Sequence, residues 1–84
     1  MKEARTRRLL GLLERNDALK TKGYSLSWTK GGGIVIDRSG HVHGIWDFDG
    51  HCYTWMSPGS REPIFRTGDA KSAVLYTLAA LAQG

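Results

Sequence analysis

Apolar and polar positions change period along this chain, and the changes divide it into elements. Over residues 2–15, Leu9, Leu12 and Leu13 form an apolar stripe extended by Ala4 or the stem of Arg5, while Arg7, Arg8 and Arg15 point elsewhere; this predicts a helix, with Asn16 placed to cap its end. Over 24–29, Tyr24, Leu26 and Trp28 alternate with Ser25, Ser27 and Thr29, the period of a half-buried strand, and Gly31, Gly32 and Gly33 break it. Segments 34–37, 41–48 and 51–56 read as strands separated by Ser39-Gly40 and Asp49-Gly50, pairs that favour tight hairpin turns. Ser57-Pro58-Gly59-Ser60 is a loop, and 63–66 suits a short edge strand. Thr67 then reads as the N-cap, with Asp69 in the first turn, of a helix over 68–82 whose Ala70, Ala73, Val74, Leu78 and Leu81 fall at helical spacing.

The expected architecture is α+β: an antiparallel three- to four-stranded meander between an N-terminal and a C-terminal helix, forming a single domain over residues 1–84. Taking both dipeptides as two-residue turns places Ile34, Ile36, His43, Ile45, Cys52, Thr54 and Met56 on one face. Val35, Val42, Trp46, Phe48, His51, Tyr53 and Trp55 take the other. Both faces are apolar, whereas a solvated antiparallel face alternates cleanly with polar residues. Either the helices cover both sides or one side meets a partner, a homodimer being one form of such cover. The aromatic face, with Trp46, Tyr53 and Trp55, is the candidate partner surface; the alternative is that these rings are the core beneath the alanine-rich helix.

A chain of 84 residues has room for one core, so function is expected on its outer surface. The net charge of +4 is uneven: residues 1–30 hold eight of the twelve basic groups and carry +5, and the remainder carries −1. Arg5, Arg7, Arg8 and Arg15 are therefore candidate partner-binding residues, toward nucleic acid or a protein that handles it, set against an ordinary solvated helix face. Cys52 is the only cysteine, which excludes an intrachain disulfide and fits a reducing, cytoplasmic compartment. The longest apolar run, residues 73–82, falls short of the roughly 20 residues a membrane span needs, and the interrupted N-terminal leucines do not suit a signal peptide.

The densest chemistry lies in His41-Val-His43-Gly-Ile-Trp-Asp47-Phe-Asp49-Gly-His51-Cys52. As zinc ligands, His41, His43, Asp47 and Cys52 match no standard spacing, and no metal or other cofactor is expected. His51 and Cys52, adjacent on a strand, would face opposite ways and cannot act as base and nucleophile. The triple glycine precedes a strand and lacks the lysine of a phosphate loop. These residues support a binding protein and no enzyme, with a zinc enzyme as a distant third reading.

The meander followed by Phe65-Arg66-Thr67, Ala70 and Ala73 resembles small β-sheet DNA-binding domains, the arm-binding domains of phage integrases and AP2-type domains, over roughly residues 33–80. That resemblance implies sheet-to-groove docking, which the acidic Asp37, Asp47 and Asp49 oppose. In size and style the whole chain is also similar to the small inhibitors that phages and mobile elements encode, notably anti-CRISPR proteins. This second resemblance implies a steric inhibitor that occludes a host protein or nucleoprotein complex. Direct nucleic-acid binding is the alternative.

Overall fold

In the computed structural model, which describes residues 2–83, the first helix α1 (Lys2–Glu14) turns Thr6, Leu9 and Leu13 inward, all fully buried. Their spacing of three and four residues is one helical stripe. Asn16 serves both sides: its backbone N–H donates to the Leu13 carbonyl at 3.1 Å at the end of α1. Its side-chain oxygen accepts the amides of Ala18 and Leu19 and so caps a second, short helix α2 (Asp17–Thr21), which anchors itself through buried Leu19. The polar residues around Leu19 gave no periodicity from which to expect it.

The sheet has five strands in chain order, all antiparallel: β1 (Ser25–Trp28), β2 (Ile34–Arg38), β3 (His41–Phe48), β4 (Tyr53–Met56) and β5 (Phe65–Thr67). Residues 24–29 and 63–66 thus correspond to full members of the meander, which is wider than the expected three or four strands. The closing helix α3 (Ala70–Gln83) starts at Ala70 because Asp69, not Thr67, is its cap. The Asp69 carboxylate accepts the Ser72 amide at 3.0 Å, and the Thr67 hydroxyl oxygen accepts the Asp69 amide at 3.2 Å one step earlier.

Both hairpin signals mark real turns, but only one has the expected length. Ser39 and Gly40 both take positive φ, 53° and 81°, as a two-residue turn matched to strand twist demands. At Asp49-Gly50 the Asp49 carboxylate instead accepts the amides of both His51 and Cys52 at 2.8 Å, drawing them into the turn, so pairing resumes at Phe48 with Tyr53. The register of β2 on β3 also shifts: Ile36 pairs with Gly44 but Asp37 with Val42, leaving His43 as an extra residue in β3. That bulge reverses the expected faces of β2. Ile34 and Ile36 join Trp46, Phe48, Tyr53 and Trp55, and Val35 joins Ile45.

Both long helices pack on that first face, so the aromatic residues are the core and are not presented to a partner. Trp46, Tyr53 and Trp55 are 0%, 1% and 2% exposed. The Trp46 indole N–H donates to the Thr77 hydroxyl at 2.8 Å, and the Tyr53 hydroxyl donates to the Arg5 carbonyl at 2.7 Å, tying the sheet to α3 and to α1. Phe65 and Tyr76 stack with ring centroids 4.0 Å apart at the β5 side of the same layer. Gly44 is required there, since a Cβ would lie 2.0 Å from the Trp55 ring. No described helix is long and apolar enough to cross a membrane.

Candidate functional site

With α1 and α3 on one side, no described element covers the opposite side of the sheet, and its composition can be read from the ladder. Ser27, Val35, Ile45 and Met56 are cross-strand partners in sequence, so they form one row across β1, β2, β3 and β4. Val35, Ile45 and Met56 are each half-buried by their neighbours alone. A second row runs from Asp47 to Thr54 to Arg66, and a third from Ser25 to Asp37 to exposed Val42. An uncovered antiparallel face normally alternates to polar residues, and an apolar row at its centre is a departure that suits a contact surface.

The charge on this face is opposite in sign to that of the chain. Asp37 and Asp47 stand on either side of the apolar row, and the basic Arg66 is offset by Asp49, whose carboxylate lies 3.5 Å from its guanidinium. The amides of Cys52 and His51, with Arg66 as a smaller influence, hold the Asp49 carboxyl below its ordinary value, so it is ionised at neutral pH. The result is an apolar centre with an acidic border.

The basic residues lie elsewhere. Arg8 on α1 and Arg15 just past its end are both exposed and line one groove with Gly11, whose carbonyl accepts the Arg15 amide at 3.2 Å. Arg7 is beside them, paired with Glu3 at 2.8 Å and with its guanidinium 5.9 Å from the Trp28 ring. Arg5 leaves this groove and lies over the Phe48 ring at 5.9 Å. The four arginines are therefore not one cluster: Arg7, Arg8 and Arg15 share a surface, and Arg5 faces a different flank. None of them lies near the apolar row of the sheet.

The histidine-rich stretch is dispersed by the bulge and the turn. His41 is exposed, His43 rests edge-on against Tyr24 with centroids 5.3 Å apart, and Cys52 sits in the Asp49 turn. The Asp47 carboxylate accepts the amide of Phe48 at 2.8 Å. Among the described residues no three His, Cys, Asp or Glu side chains converge as they would around a metal ion.

Two features escaped the sequence reading. Trp28 looked like a half-buried strand residue because it alternates with Leu26, yet it is 42% exposed at the end of the edge strand. Its neighbours Lys30 and Gly31-Gly32 were the available signal, since a strand that ends in a lysine and glycines has little left to bury its last ring. Val35 is expected on the face opposite Ile45 and Met56, because the bulge at His43 that brings it to their side is not written in any turn motif. No protein-family model, curated protein or solved structure matches this chain.

Proposed function

We propose that this chain is a non-enzymatic binding module of the small steric-inhibitor type, which docks through its uncovered sheet face on a basic, nucleic-acid-handling surface of a host protein or nucleoprotein complex. The observation that carries this reading is the row Val35, Ile45 and Met56, bordered by Asp37 and Asp47, on the side of the sheet opposite both long helices. An apolar centre with a polar rim is the anatomy of a protein interface, and methionine adapts to irregular partner surfaces. The acidic border complements lysines and arginines that would otherwise hold phosphate, so occupancy of such a surface excludes nucleic acid.

The same border argues against sheet-to-groove docking on DNA. That mode needs cations facing the phosphates, and among the described residues this face offers Arg66 alone, already compensated by Asp49. Phage origin and anti-CRISPR activity in particular would be one realisation of the inhibitor reading.

The test compares capture of proteins from nuclease-treated bacterial lysate by the tagged wild-type chain and by Ile45→Lys, with circular dichroism to confirm that the variant folds. One complex retained by the wild type and weakened about 30-fold or more by Ile45→Lys is expected, the size of an interface hot spot. Capture that survives Ile45→Lys, or that disappears on nuclease treatment, would remove the sheet face from the mechanism.

A further inference from the structure

Behind the edge of β1, on the side of the sheet that carries the helices, α1 and the β1–β2 loop enclose a cleft of about 410 Å³ lined by Glu3, Arg7, Trp28, Lys30, Gly31 and Gly32. Its walls combine three unlike features. Trp28, at the end of an edge strand, is 42% exposed with the Arg7 guanidinium over its ring. Arg7 and Lys30 supply positive charge beside that ring, and the Arg7 guanidinium is 5.9 Å from its centroid. The loop offers glycine backbone, which admits close approach of a ligand.

The loop is also fixed in advance. The Thr29 amide donates to the Gly33 carbonyl at 2.9 Å, the Gly33 amide to the Thr29 hydroxyl at 2.8 Å, and the Gly32 amide to the Thr29 carbonyl at 3.1 Å. A flat ring flanked by cations recognises a group that is planar and apolar on one side and anionic on the other, which describes a nucleobase with its phosphate. The cleft does not end after one such unit. Arg7 is shared with a second groove of about 370 Å³ along α1 that reaches Arg8, Gly11 and Arg15. Arg8 and Arg15 are about 10 Å apart along the helix axis, so cations continue beyond the aromatic platform.

We infer that this continuous surface, from Lys30 and Trp28 through Arg7 to Arg8 and Arg15, binds single-stranded nucleic acid, with one base stacked on Trp28 and the adjoining phosphates on the arginines. An aromatic platform with a cationic track is the usual means of holding a single strand without reading its sequence. A duplex keeps its bases stacked on one another and cannot offer one to Trp28. Among the described residues that line the cleft, Glu3 is the acidic one. It neutralises Arg7 through their 2.8 Å pair and limits affinity.

The site lies on the helix side of the sheet and is independent of the face assigned above to a protein partner. Its test is fluorescence anisotropy of labelled twelve-nucleotide dT and rU strands, a duplex of the same length and adenosine monophosphate as competitor, over a series of salt concentrations. Single strands are expected to bind more tightly than the duplex, with affinity falling as salt rises. Trp28→Ala should lose about tenfold or more while Trp28→Phe keeps most of the affinity. Glu3→Gln should tighten binding several-fold by releasing Arg7, and Ile45→Lys should leave it unchanged. Equal binding of the duplex, an unaffected Trp28→Ala variant, no binding at low salt, or complete competition by equimolar mononucleotide would each overturn the inference. Failure here leaves the sheet-face reading standing, because Ile45→Lys reports on that face alone.

Discussion

Thr77 shows how a single hydroxyl can hold a core together. It lies fully buried in α3, accepts the Trp46 indole N–H at 2.8 Å and donates to the Ala73 carbonyl one turn earlier at 2.7 Å. An alanine-rich helix that packs closely on large rings must answer the indole N–H that Trp46 brings into the core, and threonine does so at the size of a valine. Thr77→Val keeps the volume and strands the indole N–H in the core. A loss of about 1–3 kcal/mol is expected from urea denaturation with an unchanged denaturant slope. In a Trp46→Phe background the same substitution should cost much less, since no donor then remains to be answered. A full cost in that background would show that Thr77 matters through packing. The residue scale also exposes the limit of reading aromatics from sequence: Trp46, Tyr53 and Trp55 are legible as important, but both a core and an interface favour such rings, and only the placement of the helices decides between them.

At the scale of elements, the helix over residues 68–82 is legible from its period, and the strands at 34–37 and 41–48 from the turn residues that bound them. The register between strands was not. It depends on the bulge at His43, which is decided by whether Gly44 or its neighbour lies under the Trp55 ring, a tertiary fit that no local pattern encodes. Likewise the Asp49 turn took two further residues because one carboxylate can satisfy two amides at once, an option open to Asp but invisible in the dipeptide. The start of α3 is set by the same chemistry. The hydroxyl and amide of Ser72 hold the Asp69 carboxyl below its ordinary value of 3.8. A carboxyl depressed on folding stabilises the native state fully above its unfolded value, and the gain is lost as pH falls through the lower folded one. Asp69→Ala should therefore lower the melting temperature at neutral pH, and the difference from wild type should shrink as pH is brought well below 3.8. A difference that persists unchanged in acid would mean that Asp69 acts through its backbone geometry and not through its charge.

For the whole molecule, the sequence made the charge asymmetry visible but not its geometry. The basic excess in residues 1–30 is spread over α1, α2 and the segments that follow them, with Arg7 and Lys30 meeting at the cleft beside Trp28, while the later acids Asp37 and Asp47 fall on the uncovered sheet face, so surfaces of opposite sign lie on opposite sides of one sheet. Because charges steer encounter over about a Debye length, near 8–10 Å at physiological salt, the two surfaces address different partners without cancelling at close range. Asp37→Lys separates steering from contact. It inverts one border charge beside the apolar row without touching Val35, Ile45 or Met56, and Asp37 is only half-buried, so the fold should tolerate it. Once a partner is in hand, surface plasmon resonance should show this variant associating more slowly by about an order of magnitude at low salt, with a dissociation rate close to that of wild type. The deficit should disappear as salt is raised. Ile45→Lys should show the reverse pattern, with rapid dissociation at every salt concentration. If Asp37→Lys instead associates faster, the partner surface is acidic, and the border of the sheet face repels the class of protein assigned to it.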